Sequence, residues 1–195
     1  MEKLIDRMRK SVYFNIPNLL GYFRILLIPL FLVLYTRADS AGEYGIAFLV
    51  LALSYFSDFI DGKIARKFDM ISDFGKALDP VADKLTQAAL SIAILYHYPV
   101  MLYFLILFVA KEIYMAVMGL LLIHRGQGVN GAQRYGKICT AVNDAGCFLL
   151  LLFPDIPYFA GSILIGIMMV ITIFSWKKYM KFHVSLWKEG KTDEM

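Results

Sequence analysis

Apolar segments long enough to cross a bilayer recur along the chain, and short polar links separate them. A spanning helix needs about 20 mostly apolar residues, and this 195-residue chain is 59% apolar with a mean hydropathy of +0.61. Inside a bilayer the backbone must satisfy its own hydrogen bonds, which a helix does within one segment. We therefore predict an all-α integral membrane protein with one domain over residues 1–195.

The apolar segments predict six transmembrane helices. Residues 15–183 are expected to form this six-helix core, and residues 184–195 a polar tail. The expected spans cover approximately residues 18–36, 44–62, 77–96, 100–124, 136–153 and 158–176.

The first 14 residues differ from the spans because they contain both apolar and basic side chains. Leu4, Ile5, Met8 and Val12 recur at helical spacing, with Lys and Arg elsewhere around the turn. This pattern predicts an N-terminal amphipathic interfacial helix on an anionic membrane surface. A solvated basic tail is the alternative.

Basic residues concentrate on one side of the predicted topology. They precede the first span, fill the 63–76 and 125–135 loops and return in the tail, whereas the alternate loops offer only Arg37. By the positive-inside rule both termini and these loops face the cytoplasm. The net charge of +4 is thus explained by membrane orientation in a multi-pass protein of the cytoplasmic membrane, without nucleic-acid binding.

Four aspartates lie in two pairs, one on each side of the predicted 63–76 loop. Asp58 and Asp61 are spaced i,i+3, and Asp79 and Asp83 are spaced i,i+4, so each pair would project from one helix face. Clustered carboxylates repel one another unless a cation lies among them. The spacing predicts a site for Mg²⁺ or Mn²⁺, with two ions rather than one. The Asp79-Pro80 pair also predicts a helix start there.

The same residues carry a family resemblance. The pattern Asp-x2-Asp-Gly-x2-Ala-Arg-x8-Gly-x3-Asp-x3-Asp is complete within residues 58–83. It resembles the signature of the CDP-alcohol phosphotransferases, integral-membrane enzymes that make phospholipids. The resemblance implies that Asp58, Asp61 and Asp79 bind metal, and that Asp83 binds metal and acts as the general base. It implies transfer of a phosphatidyl group from CDP-diacylglycerol to an alcohol, with release of CMP.

The resemblance also implies a set of donor-binding residues and a homodimer. The residues that correspond to nucleotide and diphosphate contacts in the family are Asn18, Gly62, Ala65, Arg66 and Ser72.

Three further elements resemble phosphatidylglycerolphosphate-synthase-like members of the family. They are the Pro-Asn-x-Leu-x3-Arg opening at residues 17–24, the Lys111-Glu112 pair, and Gly-Lys-Ile-Cys-Thr at residues 136–140. Gly21 and Cys139 depart from the usual Thr and Lys. These elements imply glycerol 3-phosphate as acceptor, bound by cations at Lys111, Arg125, Arg134 and Lys137.

Other acceptors and other classes of protein stay open at this point. Arg125 and Arg134 also fit the positive-inside rule alone. Cardiolipin-synthase-like use of phosphatidylglycerol shares the four aspartates, and inositol phosphate, serine, choline or ethanolamine are further alternatives. A UbiA-like prenyltransferase is disfavoured because its two acidic motifs lie far apart in sequence. An ion-coupled transporter would not need Gly62 and Arg66 at these positions.

Charged residues inside the spans are expected to have partners, since an isolated charge in a bilayer is costly. Arg24 would either pair or extend to the interface, and Lys111 is a candidate partner for Asp144. The two cysteines, Cys139 and Cys147, are expected to pack as small apolar residues. No role is assigned to the histidines, all predicted at span ends: His97, His124 and His183.

Overall fold

The computed structural model describes residues 15–68, 72–126, 133–153 and 155–192. These residues form helices joined by short links, which confirms the all-α prediction. The N-terminal amphipathic helix predicted for residues 1–14 lies outside the described residues. We number the helices in chain order as α1 (Ile16–Thr36), α2 (Ala41–Lys67), α3 (Asp73–Leu95), α4 (Met101–His124), α5 (Arg134–Leu152) and α6 (Tyr158–Thr192).

Within the described residues, five segments are long and apolar enough to cross a membrane. The protein is therefore an integral membrane protein. The helix outside this set is α3, which carries Asp79, Asp83 and Lys84 in its first half. That α3 is the third of six spans stays a prediction. The five segments are Ile16–Thr36, Ala41–Ala65, Met101–His124, Arg134–Leu152 and Tyr158–Trp187.

Helix α1 begins at Ile16, close to the predicted start of the first span near residue 18. Asn15 is the N-cap, and its Oδ1 accepts a hydrogen bond from the backbone N–H of Asn18 at 2.8 Å. Pro17 lies in the first turn, where a missing N–H removes no helical hydrogen bond. The entry of the chain into the first helix is thus set by local side-chain chemistry.

Helix α3 begins earlier than predicted. The Asp79-Pro80 pair was expected to start the helix, but α3 starts at Asp73 and Pro80 lies inside it. The reason is a capping oxygen that precedes the pair: Ser72 Oγ accepts the N–H of Gly75 at 3.0 Å, which is the contact of an N-cap. Both Asp79 and Asp83 therefore project from an established helix rather than from its first residue.

Helix α2 extends further than the predicted second span. It continues through Lys67, and Phe68 closes it by donating its N–H to the carbonyl of Ile64 at 3.0 Å. The loop predicted over residues 63–76 is therefore helical in its first part. A continuous helix through this region carries Asp58, Asp61, Gly62 and Ala65 on one rigid element.

The described residues divide into two compact units, with the boundary between Ala93 and Ile94. In the first unit α1 packs along α2, with Phe31, Tyr35 and Leu51 in its core. In the second unit α6 packs against α4 and α5, with Phe104 and Met168 fully buried.

Polar side chains join α5 to α6 inside the second unit. Asn143 Nδ2 donates to Thr172 Oγ1 at 3.0 Å, and Cys139 Sγ lies 3.7 Å from the same hydroxyl. Such hydrogen bonds and small residues are typical contacts between membrane helices. Both Cys139 and Cys147 are buried, which confirms that the cysteines pack in the core.

Helix α6 is longer than the predicted sixth span, because neither proline nor glycine interrupts residues 167–189. As a result His183 lies within the helix and is buried, so its predicted position at a span end is wrong. Its ring centroid lies 5.7 Å from that of Tyr114 and 6.0 Å from that of Tyr179.

Candidate active site

The acidic residues of the first unit lie on two helices. Asp58 and Asp61 occupy the last turns of α2, and Asp79 and Asp83 occupy the second and third turns of α3. Each pair shares a helix, as the spacing predicts. The two helices direct three of these side chains toward the same residue of α1, Arg24.

The guanidinium of Arg24 bridges carboxylates from both acidic helices. Its Nη1 pairs with Oδ1 of Asp58 and, at 3.1 Å, with Oδ1 of Asp83. Its Nη2 lies 3.8 Å from Oδ1 of Asp79 and donates to the carbonyl oxygen of the same residue at 3.4 Å. Arg24 thus has the partners that a charge inside an apolar helix requires, which confirms that expectation.

Burial differs sharply between this cation and its partners. The side chain of Arg24 is 3% exposed, whereas those of Asp58, Asp79 and Asp83 are 43%, 55% and 61% exposed. The guanidinium therefore lies on the interior side of the carboxylates. The carboxylates keep one side open to the surroundings of the protein.

Asp61 occupies a different environment from the other three aspartates. It is 4% exposed, and its Oδ2 has no hydrogen-bond partner among the described residues. A buried carboxylate oxygen without a donor is costly, and native proteins rarely leave one unsatisfied. A bound cation is one way to satisfy this atom.

The donor set fits a hard divalent cation, although the described residues do not form a complete coordination sphere. Among them, no group of three or more His, Cys, Asp or Glu side chains is arranged to hold a metal ion. Arg24 bridges the carboxylates that converge. One guanidinium does not neutralise four carboxylates, and carboxylate oxygens are the ligands that Mg²⁺ and Mn²⁺ prefer.

Two of the residues expected to bind the donor contact each other at the start of α1 and α3. Asn18 Nδ2 donates to Ser72 Oγ at 3.1 Å, and the same hydroxyl caps α3 through Gly75. This cluster of Asn18, Ser72 and Gly75 fixes the beginning of α3 against the beginning of α1. Gly62 and Ala65 lie half-buried on α2, while the side chain of Arg66 lies outside the described ones.

The residues expected to bind the acceptor all belong to the second unit. Lys111 is buried in α4 and its Nζ lies 2.6 Å from Oε1 of Glu112; its pairing with Asp144 stays a prediction. Arg125 ends α4, with its guanidinium 3.3 Å from the ring centroid of Trp187. Arg134 and Lys137 are exposed in the first turn of α5.

Comparison with known proteins decides the family. Residues 14–175 match the family model described as CDP-alcohol phosphatidyltransferase. The chain belongs to this family. It is therefore an enzyme, a phosphatidyltransferase of phospholipid biosynthesis, and the resemblance found in residues 58–83 is confirmed.

Curated relatives within the family differ in the acceptor that their names print. The CDP-diacylglycerol–glycerol-3-phosphate 3-phosphatidyltransferase of Escherichia coli strain K12 is 30% identical over 171 residues, which are 86% of this chain and 93% of the relative. The cardiolipin synthase (CMP-forming) of Streptomyces coelicolor is 35% identical over 151 residues, 76% of this chain and 70% of the relative. These relatives thus agree with membership in the family, but their names do not agree on one acceptor.

Arg24 is the site residue that the sequence patterns did not assign. Its position inside an apolar run indicates that it needs a partner, but which partner depends on how α1 packs on α2 and α3. The sequence therefore showed that Arg24 needs a partner, but not which residues provide it.

The packing of Gly75 gives the first testable prediction. A Cβ added at Gly75 would lie 2.6 Å from Asn18 Oδ1 and 3.1 Å from Ser72 Oγ. Gly75→Ala should therefore separate Asn18 from Ser72 and destabilise the protein by about 1–3 kcal/mol, the usual cost of overpacking. The expected result is a melting temperature lower by several degrees, measured by thermal unfolding in detergent.

Gly45→Ala is the matched control, because nothing lies within 4 Å of a Cβ added at Gly45 on α2. This variant should melt at the temperature of the unchanged protein or slightly above it. Identical melting of the two alanine variants would contradict the packing role of Gly75.

Proposed function

We propose that the protein transfers the phosphatidyl group of CDP-diacylglycerol to glycerol 3-phosphate, which yields phosphatidylglycerol phosphate and CMP. The observation that carries this proposal is the similarity to the E. coli glycerol-3-phosphate 3-phosphatidyltransferase, which extends over 93% of that relative. The Lys111-Glu112 and Gly136-Lys137 elements support the same acceptor.

The acidic residues Asp58, Asp61, Asp79 and Asp83 are proposed to hold Mg²⁺ or Mn²⁺, with two ions at the site. Bound metal would neutralise negative charge on the diphosphate and on the departing nucleotide. The half-exposed carboxylates and the unsatisfied Oδ2 of Asp61 support this assignment.

Asp83 is proposed to accept the proton of the acceptor hydroxyl. The hydroxyl oxygen then forms a bond to the phosphorus on the lipid side of the diphosphate, and the bond from that phosphorus to the CMP oxygen breaks. Asp83 has the most exposed carboxylate of the three that contact Arg24, at 61%. This exposure leaves it accessible to a hydroxyl at the surface of the unit.

Donor binding is assigned to residues at the cytoplasmic ends of α1, α2 and α3. Gly62 permits close approach of a nucleotide to the backbone, and Arg66 offers a planar fork for phosphate oxygens. Ala65 lies between them on α2. Asn18 and Ser72 add amide and hydroxyl groups that already hydrogen-bond to each other.

Acceptor binding is assigned to Lys111, Arg125, Arg134 and Lys137. Arg134 and Lys137 lie in the first turn of α5, where free backbone N–H groups and the helix dipole also favour a phosphate. The stacking of Arg125 on Trp187 supports a fixed orientation of that guanidinium.

The distribution of Lys and Arg supports an orientation in the cytoplasmic membrane with both termini and the active site in the cytoplasm. We further propose a homodimer, in keeping with the resemblance to this family.

Cardiolipin synthesis is the second candidate function. It is favoured by the 35% identity to the S. coelicolor cardiolipin synthase (CMP-forming). The acceptor would then be phosphatidylglycerol, a lipid, rather than a soluble phosphate ester. The acceptor assay below separates the two functions.

Acceptor choice is tested directly with purified protein, labelled CDP-diacylglycerol and a panel of alcohols. We expect CMP release and phosphatidylglycerol phosphate formation with glycerol 3-phosphate, and little product with phosphatidylglycerol, serine or inositol phosphate. The reaction should stop in EDTA and resume with Mg²⁺ or Mn²⁺. Product formed from phosphatidylglycerol instead would establish the cardiolipin alternative.

Replacing Asp83 by Asn tests the general base. Asp83→Asn should lower kcat by about 10²–10⁴-fold, the usual contribution of a general base, because an amide does not accept the hydroxyl proton. Binding of CDP-diacylglycerol should persist, as measured by protection against thermal unfolding. Asp39→Asn is the control, since Asp39 is exposed in the link between α1 and α2. Full turnover by Asp83→Asn would refute the assignment.

Lys137→Ala tests the acceptor site. Loss of a charged hydrogen bond costs about 1.5–3 kcal/mol, so the KM for glycerol 3-phosphate should rise about tenfold or more. The KM for CDP-diacylglycerol should stay the same. Lys178→Ala is the control, because Lys178 is an exposed lysine of α6 that has no assigned role. Equal losses for donor and acceptor would count against the assignment.

A further inference from the structure

Arg24 contacts the carboxylates of three aspartates from their buried side, and it also donates to the backbone carbonyl of Asp79. The contacts involve Oδ1 of Asp58, Asp79 and Asp83. The side chain of Arg24 is 3% exposed, whereas those of the three aspartates are 43–61% exposed. Arg24 therefore holds these aspartates while their side chains stay partly exposed to the surroundings of the protein.

The partners of Arg24 come from different helices, so the contact determines geometry between helices. Asp58 belongs to α2, Asp79 and Asp83 belong to α3, and Arg24 belongs to α1. A guanidinium presents several N–H groups in one rigid plane, which suits simultaneous contacts with more than one carboxylate. Arg24 thus constrains the orientation of these acidic side chains relative to one another, although they lie on two different helices.

We propose that Arg24 is a positioning residue of this site: its buried guanidinium orients the carboxylates of Asp58, Asp79 and Asp83 for the divalent cation proposed above. The inference rests on the metal-binding role proposed above for the aspartates. Partners that orient metal ligands in this way typically change metal affinity by about 10–100-fold when removed.

A second physical role for Arg24 would have the opposite effect on metal affinity when Arg24 is replaced. If Arg24 acted only as a positive charge near the site, it would repel the metal, and its removal would tighten metal binding. If Arg24 orients the ligands, its removal weakens metal binding. The sign of the change in affinity therefore distinguishes the two roles without any measurement of turnover.

The test is Mn²⁺ binding to the full chain in detergent, measured by electron paramagnetic resonance without substrate. Arg24→Gln should weaken Mn²⁺ binding by about 10–100-fold. Arg24→Lys should lie between Gln and the unchanged protein, because an ammonium keeps the charge but lacks the planar fork. Arg37→Gln is the matched control: Arg37 caps the other end of α1, is exposed, and should leave affinity unchanged.

The melting temperature in EDTA, measured for every variant, separates loss of folding from loss of metal. If Arg24→Gln does not fold, the folded Arg24→Lys variant decides: weaker Mn²⁺ binding supports the inference, and unchanged binding overturns it. Unchanged or tighter binding by a folded Arg24→Gln variant likewise overturns it. Absence of Mn²⁺ binding by the unchanged protein would instead refute the metal site itself, and this inference with it.

Discussion

The pairing of one buried guanidinium with carboxylates of two other helices is the constraint on which the first unit depends. Arg24 is almost fully buried, so its charge must be balanced within the protein. Asp58 and Asp83 provide that balance only if α2 and α3 present them to the same face of α1. The requirement therefore couples the packing of three helices to the assembly of the acidic site.

A second contact at the ends of the helices sets the register of α3. Ser72 caps α3 through the N–H of Gly75 and hydrogen-bonds to Asn18 at the start of α1. Because the helix begins at Asp73, Asp79 and Asp83 lie on successive turns of the same face. The absence of a side chain at Gly75 permits the close approach of Asn18. The contacts at the helix ends therefore also determine where Asp79 and Asp83 lie in the acidic site.

Much of the fold and of the family assignment could be predicted because both depend on local properties of the chain. Apolar length predicts helices, and the spacing of Asp58 to Asp83 carried the family resemblance that residues 14–175 confirm. Errors occurred where two local signals competed. Asp79-Pro80 resembles a helix start, but the capping hydroxyl of Ser72 lies earlier, and the basic residues after Asp61 resemble a loop although α2 continues through Lys67.

By itself, the sequence determined that the chain is helical and membrane-embedded, which residues carry the acidic signature, and that Arg24 needs a partner. These properties follow from hydropathy and spacing along one segment. Only the tertiary structure decided which carboxylates meet Arg24, that Asp61 is buried with one oxygen unsatisfied among the described residues, and that Asn18 contacts Ser72. Those contacts join residues more than 30 positions apart in the chain, and such pairs are fixed by the packing of whole helices rather than by any local pattern.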